Sequence, residues 1–185
     1  MIIRFAGFGG QGVVLCGFIF GKAAMLDGRN SIHTQSYGSA SRGGLTRSDV
    51  GIEEGEIYDL CADAFDILVA MSQQSYDRFR GQLLPDGTLF YEADLVTVAG
   101  GDEARGHGIA TTDLAFKKFG RTIFANMLMM GFVNRIAEVV TVESLERTVA
   151  ESVPAGTEET NIAALHEGMR LGGDELMRTR GGGRR

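Results

Sequence analysis

Apolar residues fall into short runs and longer helical patterns that alternate from the N-terminus onward. Strands are predicted where short apolar or alternating runs end in glycine or polar residues, at 2–6, 30–34, 45–52, 66–71, 88–92 and 109–111. Helices are predicted where apolar residues recur every three or four positions, at 12–26, 73–83, 112–119, 121–138, from 141 onward and at 158–172. This alternation, followed by a helical C-terminal part, predicts an α/β fold with a mostly parallel sheet.

The predicted helix at 121–138 is apolar nearly all round, which is typical of a helix buried on several sides or facing a partner chain. We expect Met127, Met130 and Phe132 to lie at an interface with such a partner. The chain ends in TRGGGRR, which predicts a disordered basic tail at 174–185. Residues 1–173 contain no linker or internal repeat and are predicted to form a single domain.

Composition narrows the classes of protein that this chain can represent. The 185 residues carry a net charge of −6 although four arginines lie among the last eight, so the rest is acidic and a nucleic-acid partner is not expected. The two cysteines, Cys16 and Cys61, cannot alone hold a four-thiolate cluster or a cysteine-rich zinc site, and they fit a reducing cytoplasm. The N-terminus lacks the features of a signal peptide, and the longest apolar run is too short to cross a bilayer. We therefore expect a soluble cytoplasmic protein with no membrane partner.

The clearest motif lies between the first predicted strand and the first helix. Residues 7–12 match G-x-G-x-x-G, in which glycines permit a tight turn and the helix N-terminus favours an anion. A dinucleotide site also needs a carboxylate after the second strand, but that strand ends in His33-Thr34-Gln35. A phosphate-bearing ligand of another kind is therefore favoured over a purely structural turn and over NAD or FAD.

A second polar loop follows the second predicted strand. Residues 36–44 combine serine hydroxyls, glycines and the guanidinium of Arg42, a set of groups that suits an oxyanion or a phosphate. The alternative is a polar surface loop without a ligand. The histidines His33, His107 and His166 show no metal-ligand spacing and are interpreted as structural or solvated. The chain offers no nucleophile, no paired acid and base and no metal site, so any demanding chemistry is expected to reside elsewhere.

Several stretches together resemble the gamma subunit, or gamma domain, of 2-oxoacid:ferredoxin oxidoreductases. The resemblance rests on the two glycine loops and on four later stretches, and it extends over about residues 2–172. The stretches are residues 7–13, 36–44, 48–50, 85–87, 126–131 and 161–168. The loop that begins Ser36-Tyr37-Gly38 is most similar to the 2-oxoglutarate and branched-chain members, and 2-oxoglutarate is favoured.

The resemblance implies a fold and a place in a larger enzyme. It implies a three-layer α/β/α domain that packs over an active site and helps to bind coenzyme A. Thiamine diphosphate, magnesium and iron–sulfur clusters would be held by alpha, beta and possibly delta chains, which pass electrons to ferredoxin. The isolated chain is then expected to be inactive. The alternative is a stand-alone nucleotide-binding regulatory α/β module.

The residues and the resemblance together define the candidate site. No catalytic residue and no metal ligand is expected in this chain. The candidate residues for coenzyme A or phosphate binding are Gly9, Gly10, Gln11, Gly12, Val13, Ser36, Tyr37, Arg42 and Gly43.

Overall fold

The fold is described from a computed structural model, which defines residues 1–38, 44–57 and 63–182, except the side chains of residues 180–182. These residues form strands and helices that alternate only in part, because β2 to β4 follow one another without a described helix and the last four helices follow one another without a strand; short 3-10 turns lie at Arg80–Gln82, Glu103–Arg105 and Thr122–Phe124. The strands are β1 (Ile2–Phe8), β2 (Asn30–Tyr37), β3 (Leu45–Glu53), β4 (Phe65–Ala70), β5 (Leu83–Glu92) and β6 (Gly106–Ile109). The helices are α1 (Val13–Leu26), α2 (Gln73–Phe79), α3 (Thr111–Phe119), α4 (Ala125–Ala137), α5 (Val142–Ser152) and α6 (Glu158–Gly182).

The strands form one mixed sheet in the order β2-β3-β1-β4-β5-β6. Strands β1, β4, β5 and β6 pair in parallel, whereas β3 pairs antiparallel with both β1 and β2. The predicted α/β class with a mostly parallel sheet is confirmed. Because β3 separates β1 from β2, the two glycine loops do not follow adjacent strands. Both loops nevertheless begin at the same edge of the sheet, where β1 and β2 have their C-terminal ends.

Helices cover both faces of the sheet, which confirms the three-layer arrangement. Alternate residues of β4 point to opposite faces, as in any pleated strand. Ile67 and Val69 join the larger core cluster with residues of α1, α4, α5 and α6. Leu68 and Ala70 join the smaller cluster, which includes Tyr76 of α2.

A buried ion pair joins β1 to the antiparallel strand β3. The Arg4 guanidinium donates to both carboxylate oxygens of Asp49, at 2.6 and 2.9 Å, directly across the pairing of the two strands. It also donates to Gln82 at 2.6 Å and lies over the rings of Phe65 and Phe79, 4.6 and 4.7 Å from their centroids. Removing one partner of such a pair leaves an uncompensated buried charge, so a shift of register that separated Arg4 from Asp49 would be costly.

Helix α4 is an internal helix of this chain, so the expectation of a partner interface there is wrong. Met127, Met130 and Phe132 are at most 2% exposed. Phe132 packs edge-to-face on Phe90 of β5, with ring centroids 6.1 Å apart, and α6 covers the other side of α4. The helix is apolar nearly all round because other strands and helices of the same chain cover it.

Glycines allow α4 and α6 to approach each other unusually closely. A Cβ on Gly168 of α6 would lie 2.8 Å from the carbonyl carbon of Leu128 and closer still to its oxygen. A Cβ on Gly131 of α4 would lie 2.9 Å from the carbonyl carbon of Leu165 and would also meet its oxygen. Any side chain at either position would therefore push the two backbones apart.

The last helix continues well past the predicted domain end. Helix α6 runs to Gly182, so residues 174–182 are helical and not a disordered tail. Glu175 accepts hydrogen bonds from Arg178 at 2.8 and 2.9 Å and lies 3.3 Å from the His107 ring of β6. The contact with His107 attaches the extension to the body of the domain, whereas the bonds from Arg178 lie within α6 itself. Residues 183–185 lie outside the described residues. None of the described helices is both long enough and apolar enough to cross a membrane.

Candidate functional site

The loop between β1 and α1 presents an open helix end. Gly10 and Gly12 have φ values of 97° and 74°, which L side chains rarely adopt. Gly12 is the N-cap of α1 and supplies no side-chain cap, and the first helical hydrogen bond runs from Cys16 N–H to the Gly12 carbonyl at 3.0 Å. The N–H groups of the first helical turn therefore have no partner inside the helix, and they lie at the positive end of its dipole.

The two positive-φ glycines differ in what surrounds them. Within the described ranges, no heavy atom would lie within 4 Å of a Cβ on Gly10. A Cβ on Gly12 would collide with the side-chain amide of Asn126, whose Cγ would be 3.1 Å away. Gly10 thus opens to the outside, whereas Gly12 lets α4 approach the loop.

Gln11 has a structural role in this loop. Its Oε1 accepts a hydrogen bond from Phe8 N–H at 2.7 Å, and its Nε2 donates to the Met71 carbonyl at 2.8 Å. The side chain therefore ties the loop to the end of β4. The Met71 carbonyl uses one of the two N–H groups of this amide, so the expected contact between Gln11 and a ligand stays a prediction that rests on the second N–H.

A cavity of about 550 Å³ lies beside this helix end, between α1 and the exposed face of β2. Five of the candidate residues line it, namely Gly9, Gly10, Gly12, Val13 and Tyr37. Ser36 neighbours Tyr37 on the same strand, so its side chain points to the other face of the sheet. Arg42 and Gly43 lie outside the described residues.

Much of the cavity wall comes from residues that the motif did not indicate. The wall is largely apolar along α1 and polar along β2. The additional lining residues are Phe8, Val14, Leu15, Phe18, His33, Gln35 and Thr46. An anion-binding helix end beside an apolar wall suits a ligand with a phosphate group and an uncharged arm.

His33 is the ionisable side chain among these lining residues. Its Nε2 lies 2.7 Å from the hydroxyl oxygen of Ser48, which is fully buried on β3. Burial lowers the pKa of His33, and the Asp49 carboxylate partly opposes this shift. The imidazole is therefore neutral at neutral pH.

A second, smaller cavity of about 280 Å³ adjoins the loop on its other side, and Gly10 borders both cavities. Leu95 and Ile123 line the smaller cavity and are 44% and 59% exposed, and Phe116 nearby on α3 is 63% exposed. The edge of the sheet around the glycine loop therefore carries large exposed apolar side chains, in contrast to α4.

The buried carboxylate at this edge is part of the framework. Glu92, at the end of β5, accepts hydrogen bonds from the Thr111 hydroxyl and from the Thr112 N–H and hydroxyl at the start of α3. Burial raises the pKa of Glu92, against the effect of these donors. Across the described residues, no group of three or more His, Cys, Asp or Glu side chains could hold a metal ion.

The topology argues against a dinucleotide site of the Rossmann type. That site needs a parallel strand next to β1 with a carboxylate at its end for the ribose. Here the neighbour on that side is the antiparallel strand β3, and β2 ends in Gln35-Ser36-Tyr37.

Comparison with known proteins identifies the family. Residues 2–171 match the family described as pyruvate ferredoxin/flavodoxin oxidoreductase. The chain is 43% identical over 176 residues to the 2-oxoglutarate synthase subunit KorC of Methanothermobacter marburgensis, covering 91% of this chain and 95% of that relative. The chain belongs to the pyruvate ferredoxin/flavodoxin oxidoreductase family.

Solved structures of this oxidoreductase family agree with the sequence comparison. The gamma subunit of a keto/oxoacid ferredoxin oxidoreductase from Geobacter sulfurreducens is 32% identical, with a TM-score of 0.80 over 91% of this chain and 96% of that chain. The 2-oxoglutarate:ferredoxin oxidoreductase of Magnetococcus marinus, solved with 2-oxoglutarate, coenzyme A and succinyl-CoA bound, has a TM-score of 0.84 over 94% of this chain and 31% of that chain. At 18% identity the second likeness shows the fold alone.

The expected membership in the 2-oxoacid:ferredoxin oxidoreductases is confirmed, and with it the expectation that the chain is an enzyme subunit. The alternative of a stand-alone regulatory module is not favoured.

Proposed function

We propose that this chain is the gamma subunit of a cytoplasmic 2-oxoglutarate:ferredoxin oxidoreductase and that its glycine loop helps to bind coenzyme A. The enzyme would convert 2-oxoglutarate and coenzyme A to succinyl-CoA and carbon dioxide, with two electrons passing to ferredoxin. The choice of 2-oxoglutarate is supported by the 43% identity to a 2-oxoglutarate synthase subunit.

The observation that carries the coenzyme A proposal is the open helix end beside a partly apolar cavity. Val13 begins α1 without a side-chain cap, and none of the residues that the structure describes occupies the space where a side chain on Gly10 would stand. A phosphate can approach the N–H groups there without displacing atoms of those residues. The apolar wall of Val14, Leu15 and Phe18 would accommodate the uncharged arm of the same ligand.

Arg42 and Gly43 keep their proposed roles in this site. Arg42 would add a two-pronged, charge-assisted contact to the phosphate, and Gly43 would let the second loop approach it. Ser36 remains a candidate through its position beside that loop, although its side chain does not line the cavity.

The remaining chemistry is assigned to partner chains. Thiamine diphosphate with its magnesium ion and the iron–sulfur clusters would be bound by alpha, beta and possibly delta chains, which is consistent with the lack of a group of metal-ligating side chains among the described residues. The thiol of coenzyme A must reach a partner-bound acyl group, so a partner chain would lie close to the glycine loop, where Leu95, Phe116 and Ile123 are exposed. We propose that these three exposed side chains contact that partner.

The test is Gly10→Val in the assembled enzyme, with both half-reactions measured. The side chain would occupy the phosphate position, and we expect the KM for coenzyme A to rise roughly tenfold to a hundredfold, as for the loss of a charge-assisted contact of about 1.5–3 kcal/mol. Arg42→Ala and a bulky residue at Gly12 should act in the same direction. Decarboxylation of 2-oxoglutarate in the absence of coenzyme A should change much less.

Gly156→Val is the matched control. Gly156 also has a positive φ, 85°, and free space around its Cβ position, but it lies in the turn before α6 and does not line the cavity. It should therefore suffer the same backbone strain and leave the KM for coenzyme A unchanged. Equal loss of both half-reactions in Gly10→Val would assign the loop to active-site architecture, and no change in either would make it a structural turn.

A further inference from the structure

The cavity beside α1 has one ordered polar wall along β2. His33, Gln35 and Tyr37 occupy alternate positions of the strand and therefore share one face. All three line the cavity. His33 lies beside Gly17, about 6 Å further along α1 than Val13 at 1.5 Å per residue. A ligand whose phosphate sits at the helix end would thus extend its uncharged part toward His33.

The hydrogen bond between His33 and Ser48 defines the tautomer of the ring. Ser48 is fully buried, and His33 Nε2 is the one partner of its hydroxyl among the described residues. If Nε2 carried the proton, the hydroxyl hydrogen would be buried without an acceptor, which is costly. The hydroxyl therefore donates to Nε2, and the ring proton resides on Nδ1.

The His33 side chain lines the cavity, and its Nδ1–H is free of partners in the described part of the chain. A Cβ on Gly17 would lie 3.1 Å from Nε2 and 3.2 Å from Cδ2, so this edge of the ring faces α1. Nδ1 is the ring atom opposite that edge, and it has no hydrogen-bond partner within the described part of the chain. The polar wall along β2 thus includes, at His33, a hydrogen-bond donor whose orientation Ser48 fixes.

We propose that His33 is a positioning residue that donates a hydrogen bond from Nδ1 to an uncharged carbonyl oxygen in the arm of the ligand, held in this tautomer by Ser48. The proposal rests on the proposed function, because it takes the ligand to be a phosphate compound with an amide-bearing arm, as coenzyme A is. It adds a contact that recognises the arm separately from the phosphate.

The experiment compares two substitutions that each keep one of the two ring nitrogens. His33→Asn places an amide nitrogen near the position of Nδ1, and His33→Gln places one near Nε2. In the assembled enzyme we measure the KM for coenzyme A, kcat, and the inhibition constant of ADP, which has the diphosphate but no amide arm. We expect His33→Gln to raise the KM for coenzyme A about threefold to tenfold, as for the loss of one neutral hydrogen bond.

The remaining outcomes show whether His33 positions the arm of the ligand or has only a structural role. The inhibition constant of ADP should stay the same in both variants, and the KM of His33→Asn should stay closer to that of the native enzyme. Equal weakening of coenzyme A and ADP, or equal damage in the two variants, would overturn the proposal. If His33→Gln fails to assemble, Ser48→Ala tests the same point. Without the Ser48 hydroxyl, the ring proton of His33 is no longer held on Nδ1. The KM for coenzyme A should therefore rise while the inhibition constant of ADP stays the same, and an unchanged KM would overturn the role of Ser48.

Gly10→Val in the same assay distinguishes the proposed coenzyme A site from the proposed His33 contact. If it weakens both coenzyme A and ADP while the His33 variants behave as native, the proposed function stands and the His33 contact is refuted. If Gly10→Val affects neither ligand, the coenzyme A site itself is refuted.

Discussion

Glycine serves two opposite purposes in two regions of this molecule. In the loop before α1, Gly10 has a φ of 97° and empty space where a Cβ would stand. At the crossing of α4 and α6, Gly131 and Gly168 adopt ordinary helical conformations, but a Cβ on either would meet the backbone of the opposite helix. The first region leaves space for a ligand, and the second removes space between two helices.

This difference explains part of an unusual composition. The chain has 27 glycines among its 185 residues, about twice the usual share. A glycine count alone suggests loops and ligands, but the α4–α6 crossing uses glycine for packing. The two uses make different predictions, because a side chain at a packing glycine lowers stability, whereas one at a ligand-facing glycine changes binding with less effect on stability.

The largest expected effect on stability is that of Gly168→Ala. The new Cβ would meet the Leu128 carbonyl, which cannot move without moving α4. We expect a loss of about 3 kcal/mol in the free energy of unfolding, since overpacking against backbone lies at the upper end of its usual range. Urea denaturation measures the loss, and the melting temperature should fall by about 6–12 °C.

Gly173→Ala is the control on the same helix. Its Cβ would lie 3.7 Å from the nearest heavy atom, Nε of Arg135. We expect a gain of up to about 1 kcal/mol from helix propensity. If the two alanine variants had equal stability, close packing at the crossing would be contradicted.

A smaller effect is expected for the stability of Gly10→Ala. No atom in the described part of the chain would contact its Cβ, so we expect the cost to be that of the left-handed backbone, about 1–2 kcal/mol. Gly100→Ala is the reference, because it also has free space but no positive φ. It should be neutral or slightly stabilising in the same denaturation experiment. A loss in Gly10→Ala as large as in Gly168→Ala would remove the distinction between the two regions.

The smallest effect concerns the ionic attachment of α6 to α3. A hydrogen bond from Arg170, together with the ammonium of Lys118 at 2.5 Å, holds the pKa of Glu167 at about 2, below its ordinary value of 4.5. Because the folded pKa is the lower one, this contribution is present above pH 4.5 and is lost as the pH falls toward 2. Solvent screening limits it to about 1 kcal/mol or less.

Glu167→Gln tests this attachment by comparison with the native chain at several pH values. The variant should be the less stable at pH 7, and the gap should narrow as the pH falls through the range between the two pKa values. A gap independent of pH would assign the role of Glu167 to packing instead of charge.

Local patterns in the sequence predicted most of the elements, because apolar periodicity and glycine punctuation determine them. Strand β1, helix α1 and the capped start of α2 at Ser72 agree closely with expectation. Residues 85–87, which have the composition of a turn, lie within β5, where its pairing with β4 shifts from Phe65–Leu83 to Ile67–Thr88. Five residues of β5 thus span two of β4, so the local turn residues form a bulge in a strand that the long-range pairing continues.

The features of the site and of α4 that the sequence did not predict share one cause. Each of them depends on tertiary contacts. The amide of Gln11 forms hydrogen bonds with the backbone of Phe8 and of Met71. Met71 is distant in sequence, and Phe8 belongs to no pattern that indicates such a bond. The strand predicted at 30–34 ends before two of the three residues His33, Gln35 and Tyr37, so their shared face became evident only from the full strand, which runs to Tyr37. Met130 was expected at an interface because an internal helix covered by α6 has the same apolar pattern as one covered by a partner.

The most direct test is to determine where coenzyme A lies in the assembled enzyme. A structure of the complete complex with coenzyme A bound should show phosphate oxygens within about 2.7–3.2 Å of the N–H groups in the first turn of α1, beside Gly10. The uncharged arm should run along β2 toward His33. Coenzyme A bound away from this loop, with the end of α1 packed against a partner chain, would contradict the account.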